Sequence, residues 1–196
     1  MSINCTDKEG LEKFMSDNLK ESRYRHSLGV EDMAVRLAEA HGADAEKAAF
    51  AGRYHDIAKC LSPDEMNHHV EKYGLPSMYL DNIPLAHSKV AAEILKDKFG
   101  VDDEDVLNAV RSHTTGRENM SLLEEVVYVA DAIEDNRSYP GLKKLQREAL
   151  EDLDSACLFI MDYTIDTLKE KGRAIDADTI NAREYIAEKI RRNNGK

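Results

Sequence analysis

Apolar residues in this 196-residue chain recur at every third and fourth position almost from end to end, and no convincing stretch alternates as a half-buried strand would. A chain patterned in this way buries helix faces against helix faces. Thr6 with Glu9, Ser62 with Glu65, and Ser121 with Glu124 each have the spacing of a capping box, and Pro63 falls at a first helical position. Gly42, Gly74, Gly100 and Gly172 stand where left-handed caps would stop helices. The spacing predicts helices near 7–20, 23–41, 44–59, 63–73, 85–98, 103–114, 122–135, 141–150, 152–171 and 178–192. The expected fold is an all-α bundle of nine or ten helices, in one domain over 1–196. Its core would lie at about 18–135, with a C-terminal helical extension at about 141–192.

No repeat, low-complexity tract or Gly/Ser linker divides the chain, and its connections are short apart from Leu75 to Pro84 and the turn at Pro140. The segment LDSACLFIMDYTIDTL, Leu153 to Leu168, is the most apolar late helix and would close the core or a homodimer contact. The basic stretch Lys189 to Arg192 reads as a solvated C-terminal helix end. The net charge of −11 argues against a nucleic-acid or polybasic membrane partner, so an anionic substrate would need local cations. Cys5, Cys60 and Cys157 form no CxxC and read as reduced thiols, and the N-terminus carries no basic-then-apolar signal. No run approaches the ~18 apolar residues of a membrane span. The expected location is the cytoplasm.

The chemistry lies in an ordered series: His26, the adjacent pair His55-Asp56, His87, His113 and Asp131. Each falls in or beside a helical segment, so distant parts of the chain can aim ligands at one point. Imidazole with carboxylate suits iron, manganese, nickel, cobalt or zinc better than magnesium or calcium. The string AGRYHDIAK, Ala51 to Lys59, sets His55 and Asp56 among small residues that permit close backbone approach. A buried carboxylate there, or at Asp131 within VVYVADAIED, is costly unless paired or metal-bound. Taken singly, each member also fits a satisfied core polar residue. His41, His68 and His69 sit at a helix end or on a polar helix and read as structural or solvated.

The order H…HD…D with two intervening histidines resembles the HD-domain metal phosphohydrolases. The longer strings RYRHSLGV, YHDIAK, the AHS around His87, SHTTG and YVADAIEDNRSYPGL resemble the YqeK-type bacterial symmetrical diadenosine tetraphosphatases, over roughly Arg23 to Arg191. One departure is Asp135, where that family's pattern has proline after IE. The resemblance implies two metal ions, commonly iron, in a buried dinuclear site. One would be held by His26, His55, Asp56 and Asp131, the other by Asp56, His87 and His113. Asp56 would bridge them, and water activated between them would attack a central phosphorus to release two ADP.

Lys59 lies three and four residues after Asp56 and His55, which suggests a shared helix face and a catalytic and substrate-binding role. A simple salt bridge is the alternative. Arg23 precedes His26 by three and could reach the same mouth, whereas Arg25 faces elsewhere. Thr114, Thr115 and Gly116 could meet phosphate oxygens or form a helix cap. Asn136 and Arg137 follow Asp131 as candidate substrate ligands, with Glu134 and Asp135 as possible supports for ligands or for Arg137. Tyr139 could stack on a base or pack at the Pro140 turn. No P-loop, Rossmann turn or nucleophile elbow is present. The rivals are another HD enzyme (a nucleoside 5′-monophosphatase or guanosine tetraphosphate hydrolase), a nucleotide-sensing module, and a helical adaptor without metal.

Overall fold

A computed structural model describes residues 3–195, which form ten α-helices and no strand. They are α1 (Lys8–Asn18), α2 (Glu21–His41), α3 (Ala45–Tyr54), α4 (Pro63–Lys72), α5 (Ile83–Phe99), α6 (Glu104–Ser112), α7 (Leu122–Ile133), α8 (Leu142–Glu151), α9 (Leu153–Glu170) and α10 (Ala177–Asn194). A single 3₁₀ turn, Ser77–Tyr79, breaks the long α4–α5 connection.

Two of the three expected capping boxes form. Ser62 N and Ser121 N donate to Glu65 Oε2 at 2.8 Å and Glu124 Oε2 at 2.7 Å, and both serine hydroxyls accept in return. The Thr6 box does not. Asp7 caps α1 by accepting from Gly10 N at 2.8 Å. Thr6 is drawn away because its N–H and hydroxyl both donate to Phe99 O, at 2.9 and 3.1 Å, tying the N-terminal segment to the end of α5. All four stop glycines have positive φ, between 60° and 78°.

The largest departure lies in α3, expected to run to residue 59. It ends at Tyr54, and residues 55–60 continue as tight turns with Ile57 N bonded to Tyr54 O and Lys59 N to Asp56 O. His55 and Asp56 therefore sit on turned backbone and not on a helix face. Just before them, Gly52 lets α3 press against α2: a Cβ there would lie 3.0 Å from Val30 O and 3.1 Å from Glu31 Cα.

Helix α7 is the axis of the molecule. Every residue from Leu123 to Ala130 is buried, and α2, α3, α6, α8 and α9 pack around it. Through α9, Leu153, Ala156, Cys157, Ile160, Met161 and Ile165 seal this core, while Phe159 and Tyr163 on the same helix remain exposed. The basic C-terminal stretch is not simply solvated, because Lys189 reaches inward to Glu125 Oε1 at 2.8 Å and Asp154 Oδ1 at 2.7 Å. Arg192 pairs with exposed Glu188. Among the described residues no helix is long and apolar enough to cross a membrane.

Candidate metal centre

Five helices end or turn at one buried point. Helix α2 supplies His26, the turn after α3 supplies His55 and Asp56, α5 supplies His87, the C-cap of α6 supplies His113, and α7 supplies Asp131. All four imidazoles and Asp56 are buried. Asp56 lies at the middle. Its Oδ2 is 3.6 Å from His55 Nε2 and 4.0 Å from His26 Nε2, while its Oδ1 is 3.2 Å from His87 Nε2 and 3.5 Å from His113 Nε2. Asp131 Oδ1 closes the first side, 3.0 Å from His26 Nε2 and 3.9 Å from His55 Nε2. One carboxylate thus faces a separate imidazole pair with each oxygen.

The second nitrogen of every ring is engaged. His55 Nδ1 donates to Gly52 O at 2.7 Å, His87 Nδ1 to Ile83 O at 3.0 Å, His113 Nδ1 to Val110 O at 2.8 Å, and His26 Nδ1 to Glu134 Oε1 at 3.1 Å. Donation from Nδ1 sets the tautomer and leaves each Nε2 lone pair directed into the cluster. His26 Nε2, His55 Nε2 and Asp56 Oδ1 are fully enclosed yet make no hydrogen bond. Orphaned acceptors in a hydrocarbon core are costly, and a cation satisfies several of them together. His87 Nε2 and His113 Nε2 lie 3.1 Å apart, a close approach of two lone pairs that a shared positive charge relieves. Two overlapping groups, His26–His55–Asp131 and His55–Asp56–His113, have ligand atoms within 4.8 Å of one another. The donor set fits divalent metal.

The protonation tendencies agree with that fit at His55, His87, Asp56 and Asp131, and His26 is the exception. Burial pushes His55 down to about 4 and His87 below the ordinary imidazole range, which keeps their lone pairs available. Burial opposes ionisation of Asp56, but His55, His113 and His87 outweigh it and hold the carboxyl well below its usual value. Asp131 is lowered in the same way, chiefly by His26. At His26, burial works against the charged form, yet Asp131 and Glu134 prevail and raise it.

Three cations flank the cluster, each partly exposed. Arg23 Nη1 is 3.2 Å from Asp56 Oδ2, Arg137 Nη2 is 2.7 Å from Asp131 Oδ1, and Lys59 Nζ is 2.9 Å from His87 Nε2 and 3.9 Å from Asp56 Oδ1. Lys59 reaches the cluster from a turn and not from a helix face shared with His55, and burial lowers its pKa against the pull of Asp56 and Asp131. Thr114 Oγ1 is 3.2 Å from both His87 Nε2 and His113 Nε2. Thr115 and Gly116 turn away: the Thr115 hydroxyl donates to Gly116 O, and Gly116 faces Ala182 and Met161. Asn136 also lies outside the cluster, donating through N and Nδ2 to Glu134 Oε2 and through Nδ2 to Arg25 O.

Glu134 is therefore a support, holding His26 on one oxygen and Asn136 on the other. Its carboxylate lies where a Cβ on Gly29 would be, 2.2 Å from Oε2, so only glycine leaves room for it. Asp135 stands apart at the surface with Arg36, Lys143 and Gln146, a charge cluster joining α2 to α8. His41 is structural, its Nε2 bonded to Ala149 O at 2.7 Å, and His69 stacks on Tyr73.

A cavity of about 650 Å³ opens beside the cluster, with Lys59, His113, Thr114, Asp131 and Arg137 in its lining. Its other walls include Tyr128, Tyr139, Phe159 and Tyr163. Phe159 and Tyr163 were not among the candidates read from the sequence. Their spacing of four on the most apolar late helix was the available signal, and it is ambiguous before the neighbouring helices are placed.

The model of the HD domain family matches residues 23–136, more than half of the chain and all six converging side chains. The chain belongs to the HD-domain family. Its HD domain resembles solved and curated relatives well beyond the motif. It is 40% identical over 166 residues to the symmetrical bis(5′-nucleosyl)-tetraphosphatase of Bacillus subtilis, covering 84% of this chain and 89% of that protein. With the protein of the same name from Halalkalibacterium halodurans it shares 39% over 169 residues, covering 86% and 90%. A crystal structure from Clostridium acetobutylicum, described as a predicted HD superfamily hydrolase involved in NAD metabolism, superposes with a TM-score of 0.87 at 42% identity over 92% of this chain and 97% of that one.

Proposed function

We propose that this chain hydrolyses dinucleoside tetraphosphates symmetrically, converting diadenosine tetraphosphate to two ADP. The observation that carries the reading is Asp56, each of whose oxygens faces its own pair of imidazole nitrogens. His26, His55, Asp56 and Asp131 would hold one divalent cation, and Asp56, His87 and His113 a second. Two such ions, when bound, supply an acidified water and neutralise phosphoryl charge. The imidazole-rich donor set supports iron as the native metal, with manganese, cobalt, nickel or zinc able to substitute.

The chain's own residues do the remaining work. Arg23, Lys59 and Arg137 stand around the cluster as fixed positive charge in a molecule whose net charge is −11. They hold the tetraphosphate against the background field, orient a central phosphorus toward the cluster, and offset charge on the departing ADP. Thr114 adds a hydroxyl beside His87 and His113 for a phosphoryl oxygen. Burial of the four rings keeps bulk water from competing with the positioned nucleophile. The free thiols of Cys5, Cys60 and Cys157 and the nucleotide substrate support a reducing cytoplasmic setting.

An anaerobic assay with ferrous iron and diadenosine tetraphosphate, resolved by chromatography, should yield ADP as the only nucleotide product. Paired AMP and ATP would refute symmetrical cleavage. Turnover confined to nucleoside monophosphates, or pyrophosphate release from guanosine tetraphosphate, would move the chain to another HD activity.

A further inference from the structure

Five large hydrophobic side chains are exposed among the described residues, and the three aromatic ones, Tyr139, Phe159 and Tyr163, line one cavity. Phe159 is 58% and Tyr163 67% exposed, on a helix whose other face is sealed into the core. That exposure is costly in water, and a pair four apart on α9 presents two rings side by side. Tyr139 faces them from the α7–α8 turn, its ring fixed because its hydroxyl donates to Ala132 O at 3.0 Å. The same cavity is lined by Asp131, Thr114 and Arg137, so the aromatic wall is continuous with the phosphate end of the site. Its volume, about 650 Å³, suits a small molecule.

We infer that Tyr139, Phe159 and Tyr163 form a stacking platform that seats one purine base of the dinucleotide, with its phosphates directed past Arg137 toward the cluster. The inference rests on the proposed tetraphosphatase reading and deepens it by assigning a nucleoside subsite. A base offers a flat π face to rings that need cover, while the cations take its phosphates. Stacking of this kind tolerates either purine, because every base offers a π face.

The chain has no tryptophan, so Phe159→Trp installs a single reporter in the platform. Titration of the metal-loaded Phe159→Trp protein with ADP should change its emission saturably, whereas pyrophosphate, which has phosphates and no base, should leave it nearly unchanged. The double variant Phe159→Ala/Tyr163→Ala should raise KM for diadenosine tetraphosphate by at least about fivefold, with bound metal and Tm held near wild type. An equal response to pyrophosphate and ADP, or an unchanged KM in a folded double variant, overturns the platform. So does a double variant that only converts a dimer to monomer, since the rings would then cover a second copy of the chain. If the double variant fails to fold, the tryptophan titration decides alone. Wild-type protein that leaves the dinucleotide intact would count against the tetraphosphatase reading, while the ADP titration still reports on the platform.

Discussion

At the residue scale, the site turns on how each imidazole is held. Three of the four rings donate Nδ1 to a carbonyl three or four residues earlier, within their own segment. His26 alone is oriented by a side chain from another element, Glu134. Replacing Glu134 by Gln keeps its shape but removes the charge that favours the His26 Nδ1–H. Metal affinity or turnover should fall about 10- to 100-fold, measurable by competitive chelation alongside initial rates. Retention of both would show that His26 needs no orienting charge. Lys59 makes a different prediction, because it touches the cluster without being a ligand. Lys59→Ala should lower kcat/KM about 10-fold or more while elemental analysis finds near-normal metal, as expected for loss of one fixed charge at a phosphoryl group. Equal loss of metal and activity would instead make Lys59 part of the ligand scaffold.

At the scale of elements, two contacts hold the frame that brings the ligands together. The first is α2 against α3. Alanine at position 52 gains about 0.5–1 kcal/mol of helix propensity, but its Cβ would meet the Val30 carbonyl and the Glu31 backbone, which cannot swing aside. Overpacking of this kind costs typically 1–3 kcal/mol. Gly52→Ala should therefore lower stability by about 1–2 kcal/mol, seen as a reduced denaturation midpoint with unchanged slope. A raised midpoint would mean that the helices separate freely. The second contact joins α7, α9 and α10 through Glu125, Asp154 and Lys189. Burial works against the Lys189 charge, but Asp154 and Glu125 outweigh it and hold its pKa high. Shared between two carboxylates, Lys189 leaves burial ahead at Glu125, whose carboxyl is pushed up to about 7. Between its ordinary value of 4.5 and about 7, the folded chain keeps a proton there that the unfolded chain has released. Stability from this group is full below 4.5 and is lost as pH rises through 7. Glu125→Gln should flatten the stability–pH curve over that window, by on the order of 2–3 kcal/mol. An equally steep curve in the variant would assign the slope to other groups.

At the scale of the whole molecule, a metal-loaded cluster would fasten the fold as well as serve the proposed reaction. Its ligands come from five helices or their ends, so a cation that binds them only when folded stabilises all five junctions together. At a metal concentration 100 times the dissociation constant the gain is about 2.7 kcal/mol. Chelation should lower the Tm of wild-type protein, and Asp56→Ala should lose turnover, bound metal and this chelator response together. A wild-type Tm indifferent to chelation would separate metal from folding. The all-α pattern, the ten helices, the glycine stops and the series of side chains that converge were legible in the residues, because period, caps and residue chemistry are local properties. The end of α3 at Tyr54, the recruitment of Thr6 by Phe99 and the inward reach of Lys189 were not, since each depends on a partner distant in the chain. The same limit explains why Thr115 and Gly116 could not be told from Thr114, and why Phe159 and Tyr163 read as core or dimer contact. Which side chains converge was written in order along the chain. Which atoms face one another, and which aromatic rings border them, was decided only when α7 took its place among α2, α3, α6 and α9, because direction and burial are properties of packed helices and not of any one of them.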